Sequence, residues 1–276
     1  MPEGPQSQAP QAPQGRLKVG RRAGALATLV AMLTCAAMAH AAVIQEGNLR
    51  ITVLSQVQPY KLPRDKAAPI AVFVAGHLQA PHGGIPPQLQ RMTVKVNRHG
   101  LLQSKGLASC PIARLQPAST ERALANCGDA VIGSGQFWAH IVLPDQGAYA
   151  THGRLLIFNG KEHGHPVLLT HIFTSNPFFS SFVLTFAIKK IKGTYGTELS
   201  ASLPEALGSW GYVDRIKLTL KRKYTYKGRQ LSYFNSACPA PKGVKRIVFP
   251  LAEASFEFAE GLDLTTKVEK ACAVSE

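Results

Sequence analysis

The chain has 276 residues, 45% of them hydrophobic, which is enough apolar material to bury a sizeable core. Its 24 Gly and 19 Pro, together with little helical periodicity, exclude a protein built mainly of long helices and indicate many short elements joined by turns. The net charge of +15 favours anionic partners or surfaces but does not indicate a fold.

The first segment, residues 1–41, has the pattern of a secretory signal peptide with a Pro/Gln-rich start. Residues 2–15 are rich in Pro and Gln, and four basic residues follow them. Residues 23–39 are uncharged, and a small-x-small sequence ends at Ala41. This order is typical of an export signal and predicts cleavage before Ala42. An uncleaved membrane anchor is the alternative, but the apolar run of 17 residues is at the short limit for spanning a bilayer.

The remainder, residues 42–276, is interpreted as a single β-rich extracytoplasmic domain. No other segment is long and apolar enough to cross a bilayer, so the processed chain is expected to be secreted or extracytoplasmic without a transmembrane segment. The first 41 residues include four basic and one acidic residue, which leaves 27 basic against 15 acidic residues and a net charge of +12. The basic character therefore belongs to the folded part.

Alternating polar and apolar residues predict strands along most of this domain. In chain order they are 48–57, 69–78, 90–100, 136–144, 154–160, 166–173, 180–193, 197–204, 214–239 and 254–272. Short strands separated by Gly and Pro turns predict an all-β, mostly antiparallel fold, β-sandwich-like, with one short helix.

That helix is predicted near residues 119–127. Ser119 or Thr120 caps its first turn, and Glu121 is favourable at the positive end of the helix dipole. Gly128 follows the last apolar residue and ends the helix.

Four cysteines remain after the predicted cleavage: Cys110, Cys127, Cys238 and Cys272. An even number in an exported chain predicts disulfide bonds, and four cysteines allow three pairings. We expect the nearest-neighbour pairing, Cys110 with Cys127 and Cys238 with Cys272, because it closes loops of moderate length. Each bridge would then contribute about 3–4 kcal/mol in the chain-entropy description. A four-cysteine zinc site is the alternative, but the sequence lacks Cys-x-x-Cys spacing.

The stretch IFNGKEHGHPVLLTHIF, residues 157–173, contains three histidines. Asn159-Gly160 is the strongest short hairpin signal in the chain, because both residue types tolerate positive φ. The stretch is therefore predicted to be strand, turn and strand.

His163 and His165 could share one face of an extended chain and bind a metal ion with a third ligand from elsewhere, such as His140 or His152. His171 lies six residues further on, about 20 Å along a strand, and is too far to join them. Gly164 and Pro166 favour a mobile turn over a rigid chelate.

No catalytic motif accompanies these histidines. The chain has no Gly-x-Ser-x-Gly, P-loop, dinucleotide fingerprint or His-Glu-x-x-His sequence, and no specific nucleic-acid motif. Glu253 and Glu257 share one strand face, where a solvated surface that pairs with lysines of a neighbouring strand is the favoured interpretation. We therefore assign no catalytic residue, cofactor or metal ligand, and the balance favours a non-enzymatic protein.

The stretch RIKLTLKRKYTYKGR, residues 215–229, alternates cationic and apolar residues. If it forms one strand, five cations project from one face, while the apolar side, with Tyr224 and Tyr226, packs in the core. The five cations are Arg215, Lys217, Lys221, Lys223 and Lys227. Arg222, Arg229 and the sequence KKIK at 189–192 add further positive charge.

Two interpretations of this stretch remain open. One is a surface that binds an anionic polymer, such as cell-wall phosphate polymers, acidic glycans, lipid headgroups or nucleic acid. The other is a lysine-rich strand that stays soluble and resists edge pairing with other chains.

Two functional hypotheses follow. The first is a secreted, disulfide-stabilised, non-enzymatic β protein of the cell envelope or medium that binds anionic surfaces or polymers through residues 215–229. The alternative is an exported metal-dependent hydrolase that uses His163 and His165. The sequence assigns no particular ligand, substrate or oligomeric state.

The second half of the chain contains, in order, TYGTELSASLPEALGSWGYV, YTYKGRQLSYFNSACPAPKG, FPLAEASFEFAEG and a last cysteine. In this order it resembles an uncharacterised family of secreted bacterial proteins, and the likeness covers most of residues 45–274. The resemblance implies export and a mostly β fold. Because that family has no known activity, cofactor or active site, the resemblance assigns no role to any residue here.

Overall fold

A computed structural model of the protein describes residues 40–142, 145, 147–176, 179–203 and 211–275. The predicted signal peptide, residues 1–41, lies outside the described residues except for its last two, which belong to the first strand.

Eighteen strands lie within the described residues. They are β1 (His40–Glu46), β2 (Leu49–Gln58), β3 (Lys61–Leu62), β4 (Ala68–Pro69), β5 (Ala71–Gln79), β6 (Leu89–Asn97), β7 (Gly100–Leu102), β8 (Val131–Ile141), β9 (Tyr149–Glu162), β10 (His165–Thr174), β11 (Ser180–Lys190), β12 (Tyr195–Ser202), β13 (Gly211–Leu220), β14 (Lys223–Tyr226), β15 (Arg229–Ser232), β16 (Phe234–Ser236), β17 (Arg246–Phe258) and β18 (Asp263–Val274). The same residues contain one α-helix, α1 (Thr120–Cys127), and 3₁₀ turns at Ile112–Arg114, Gly128–Ala130 and Ala259–Gly261. Within the described ranges, no helix has the length and hydrophobicity needed to span a membrane.

Thirteen strands form one continuous sheet in the order β1-β2-β5-β13-β8-β9-β10-β11-β12-β6-β17-β18-β3. Its neighbouring strands are antiparallel, except that β3 pairs with β18 in parallel. The strands β14 and β15 form a separate hairpin, and β4, β16 and β7 form a small third sheet. The chain is therefore all-β and mostly antiparallel with one short helix, as the sequence predicts.

The long sheet curls, so that β1 at one end contacts β18 near the other. Leu49 and Ile51 of β2 share a core cluster with Phe258 and Leu264 from the opposite part of the sheet. Elsewhere Tyr233 packs edge-on against Phe234, with ring centroids 4.9 Å apart, inside a cluster lined by β8, β9 and β10. The layers of this β-sandwich-like fold are thus parts of one sheet that packs against itself.

Residues 108–130, which we call the helical cover, lie on the outer face of β9 and β10. The helix α1 begins where the Ser119 side chain accepts a hydrogen bond from the Arg122 backbone N–H at 3.2 Å, and Gly128 follows its last residue. Its buried residues Ala123 and Cys127 pack against apolar side chains of β9 and β10. Because the cover occupies one face and the main core the other, residues 155–160 of β9 are buried on both sides.

The turn between β9 and β10 lies at His163-Gly164, so the prediction of a turn at Asn159-Gly160 is wrong. His163 and Gly164 take positive φ values of 49° and 82°, as a two-residue hairpin requires. Asn159 instead lies buried within β9, where its side-chain amide donates to the Ala108 carbonyl at 2.8 Å. A Cβ at Gly160 would lie 2.7 Å from the Leu169 side chain. The Asn-Gly pair therefore serves close packing of the cover and the strand.

Both disulfides have the nearest-neighbour pairing that we expected. Cys110–Cys127 joins the start of the helical cover to the end of α1, with Cα atoms 5.6 Å apart. Cys238–Cys272 joins the segment after β16 to β18, with Cα atoms 5.8 Å apart. Each bridge is buried in its own apolar cluster.

Candidate anion-binding face

The strand β13 lies inside the long sheet between β5 and β8. Its burial alternates: Ile216 and Leu218 pack into the core, whereas Arg215 and Lys217 project from the opposite face and are exposed. The alternation read from the sequence is therefore confirmed for this part of residues 215–229.

Neighbouring strands extend this exposed surface, because residues directly opposite each other in a sheet project to the same side. Arg215 pairs with Trp138 of β8, which pairs with His152 of β9. In the next row, Lys217 pairs with Gln136, which pairs with Arg154. We call Arg215, Lys217, Gln136, Trp138 and Arg154 the β13 outer face.

Trp138 holds the two cations of β13 in place. The Arg215 Cζ atom lies 5.6 Å from the centroid of the indole ring, and the Lys217 Nζ atom lies 5.7 Å from it. Each contact is a cation–π interaction, which reduces the freedom of a long charged side chain before any ligand binds. Two like charges beside one ring also repel each other, so an anion that bridges them would be stabilised.

Carboxylates do not neutralise this surface. Among the described residues, no Asp or Glu forms an ion pair with Arg215, Lys217 or Arg154. Ion pairs occur instead between β6 and β17, where Lys95 Nζ lies 2.9 Å from Glu253 and Arg91 Nε lies 3.7 Å from Glu257. The pairing of both glutamates with basic residues of a neighbouring strand is as expected, although the Glu253 side chain is only 16% exposed.

Residues 215–229 do not form one strand, so the expectation of a continuous five-cation face is wrong. β13 ends at Leu220, and the chain then enters the separate β14–β15 hairpin. Lys227 has a positive φ of 49° and forms the hairpin turn with Gly228, because a two-residue turn needs both residues in this region. Lys221 and Lys223 are exposed just beyond the end of β13.

The two tyrosines of this stretch face inward, as expected. Tyr224 is buried, and its hydroxyl donates to the carbonyls of Gln103 and Lys105 at 3.1 and 3.0 Å. Tyr226 is half-buried against Gly106. Neither ring is therefore available to stack on a ligand at the β13 outer face.

The structure does not assemble the metal site considered for the histidines. His163 lies in the hairpin turn and His165 begins β10, and both are exposed. His152 lies eleven residues back along β9, about 35 Å away in an extended strand, and His140 stacks on Tyr212 with ring centroids 5.0 Å apart. Across the described part of the chain, no three His, Cys, Asp or Glu side chains are grouped so that they could hold a metal ion.

His171 has a different role from its neighbours in sequence. It is completely buried beneath the helical cover, with its Nε2 atom 2.9 Å from the Ala118 carbonyl oxygen. Ser181 Oγ lies 3.5 Å from the same nitrogen and accepts a hydrogen bond from the Ala118 N–H. This histidine therefore attaches the cover to the sheet.

Sequence reasoning did not identify Trp138, Gln136 and Arg154 as parts of the surface. Alternation in QFWAH does place Trp138 opposite the buried Phe137. However, nothing local indicates that β8 pairs with β13, which is some eighty residues away in the chain.

Comparisons of the chain with protein-family models, curated proteins and solved structures find no match.

Proposed function

We propose that this chain is an exported, non-enzymatic β protein of the cell envelope or medium that binds anionic polymers or surfaces through the β13 outer face. One observation carries the proposal: Arg215 and Lys217 are held against Trp138 on an exposed sheet surface, and no carboxylate of the described chain pairs with them.

The spacing of these cations suits a polymer. Alternate residues of a strand lie about 7 Å apart, and adjacent strands about 4.8 Å apart. Phosphates of one DNA strand follow each other at about 3.4 Å along the helix axis, so every second phosphate matches the spacing of about 7 Å between alternate residues. Arg215, Lys217 and Arg154 therefore offer cations along and across the sheet that one anionic chain could contact in succession.

Two further features support export. Cys110–Cys127 and Cys238–Cys272 are bonds that persist in oxidising compartments. The basic, apolar and small-residue order of residues 1–41 is typical of an export signal. Isolation of the protein from the medium or the envelope, with Ala42 as its first residue, would support this part of the proposal.

The test is retention on phosphocellulose with a salt gradient. We expect Arg215→Gln/Lys217→Gln to elute at clearly lower salt than the parent, because two phosphate contacts are lost. The matched control is Lys189→Gln/Lys192→Gln, which removes the same charge from exposed residues at the end of β11, four strands away in the sheet. The control should elute close to the parent.

A second variant separates site geometry from charge. Trp138→Ala leaves the net charge unchanged but removes the ring that holds Arg215 and Lys217. We expect intermediate retention, because the cations remain but are no longer ordered. Equal elution of the β13 variant and its control would contradict the proposal and favour a surface that serves solubility alone.

A further inference from the structure

A shallow concavity of about 330 Å³ lies beside the β13 outer face, at the end of β13 where the strand leaves the sheet. Its walls come from the start of β8 and the end of β13. The lining residues are Val131, Gly133, Ser134, Thr219, Lys221 and Arg222.

Arg222 is fixed at this position by its surroundings. Its Nη2 atom donates to the Asp129 carbonyl at 2.9 Å, and its own carbonyl accepts from the Tyr233 N–H at 2.8 Å. The Nε atom is buried and has no acceptor within the described part of the protein. Arg222 is partly exposed and lines the concavity, and its guanidinium is a charged donor that favours an anion there.

Three other polar groups surround the same space. Ser134 and Thr219 are directly opposite each other in the β8–β13 register and therefore bring two hydroxyls to one side of the sheet. Lys221 is exposed, and its backbone N–H is fixed to the Ile132 carbonyl at 3.0 Å. Asp129 forms no ion pair with Lys221 or Arg222 among the described residues, so both cations keep their charge available.

We propose that this concavity binds a phosphate group, an inference that rests on the proposed function and names the ligand chemistry of the same surface. A guanidinium, an ammonium and two hydroxyls supply donors from several directions, which suits a tetrahedral dianion better than a planar carboxylate. The concavity adjoins the row of Lys217 and Gln136. A polymer bound along the β13 outer face would thus place one of its phosphates here.

The test uses the disulfide-bonded protein as purified from the cell, titrated with inorganic tripolyphosphate at constant ionic strength. Binding is followed by nuclear magnetic resonance shifts of the Ser134 and Thr219 amides and the Arg222 side-chain N–H. We expect saturable shifts, and affinity about tenfold weaker in Lys221→Gln/Ser134→Ala. The control, Lys189→Gln/Ser202→Ala, removes an equal charge and hydroxyl from exposed positions and should bind within about twofold of the parent.

Two further measurements identify the chemical class of the bound anion. Tricarballylate, a tricarboxylate, should bind at least about tenfold more weakly than tripolyphosphate, because each carboxylate carries a single charge. Vesicles that contain phosphatidic acid should be displaced by tripolyphosphate if their headgroup uses the same site. Equal affinity for the tricarboxylate would overturn the phosphate assignment, whereas vesicle binding that tripolyphosphate does not displace would exclude a lipid headgroup as the source of that phosphate.

The outcome is separable from that of the proposed function. If Lys221→Gln/Ser134→Ala binds tripolyphosphate as tightly as the parent, the concavity is not a phosphate site, whatever the retention of the Arg215 and Lys217 variant. If tripolyphosphate binds in the concavity but the Arg215 and Lys217 variant is retained like its control, the phosphate site stands and the polymer-binding face does not.

Discussion

His171 and Lys270 are ionisable side chains that the fold buries almost completely, at 0% and 7% exposure. Burial lowers the pKa of both, because the charged form loses its hydration. The stability of the protein should therefore change with pH in two separate ranges, one for each residue.

His171 should make the protein less stable in acid. Because its folded-state pKa is lowered, the unfolded chain takes up a proton first as the pH falls below about 6.5. The stabilising contribution is complete above that pH and is lost as the pH falls through the folded-state pKa. Urea denaturation should show a smaller loss between pH 7 and pH 5 in His171→Gln than in the parent. Exposed His163→Gln should keep the parent's dependence, and a loss unchanged in His171→Gln would contradict the assignment.

Lys270 should have an effect of the same sign in a more alkaline range. Its Nζ atom has a long contact of 3.5 Å with the Val57 carbonyl, and burial lowers its pKa to about 8. The folded chain releases this proton first, so stability rises with pH between about 8 and 10.5. Lys270→Met should raise the free energy of unfolding at pH 7 by about 1–3 kcal/mol and remove this rise. Exposed Lys267→Met on the same strand should change little, and destabilisation by Lys270→Met would show that the buried ammonium is stabilised by its surroundings.

At the scale of elements, local sequence signals predict the structure correctly where no distant segment of the same chain packs against them. The helix α1 ends before Gly128, as the sequence predicts, and Ser119 is the cap of the two candidates, Ser119 and Thr120, that the sequence offers. The turn at Asn159-Gly160 was predicted by the same kind of signal and was wrong. The helical cover packs there, and His163-Gly164 supplies an alternative two-residue turn. A contact between distant segments therefore overrode a local preference, as single-sequence reasoning cannot foresee.

The helical cover depends on its disulfide. Cys110 and Cys127 are 17 residues apart, and Cys110→Ser/Cys127→Ser should lower the free energy of unfolding by about 3 kcal/mol. Since the cover packs on β9 and β10 and not on β13, retention on phosphocellulose should not change. Thermal denaturation and the salt gradient together test this, and a matched loss of retention would show that the cover supports the binding face.

At the scale of the whole molecule, composition and alternation were sufficient for the fold class but not for the topology. Short alternating runs predict strands, and Gly and Pro predict the turns between them. The order of strands could not be predicted in this way, because strands distant in sequence are neighbours in the sheet. β13 lies between β5 and β8, and β6 lies between β12 and β17. Such long-range pairings bring Trp138 and Arg154 beside Arg215 and Lys217. Two of the five residues of the β13 outer face were therefore visible in the sequence, and the other three join it only through the register of the sheet.

The central claim is that Arg215 and Lys217 contact an anionic polymer directly, and the salt dependence of binding tests it most sharply. Dissociation constants for inorganic polyphosphate are measured over a series of salt concentrations, for the parent, Arg215→Gln/Lys217→Gln and Lys189→Gln/Lys192→Gln. The logarithm of the association constant falls as log salt rises, and each lost phosphate contact makes this slope less steep by about 0.7 for a single-stranded polymer. The β13 variant should therefore have a slope smaller by about 1.4, while the control keeps the parent's slope. An unchanged slope in the β13 variant, or an equal decrease in the control, would contradict the claim.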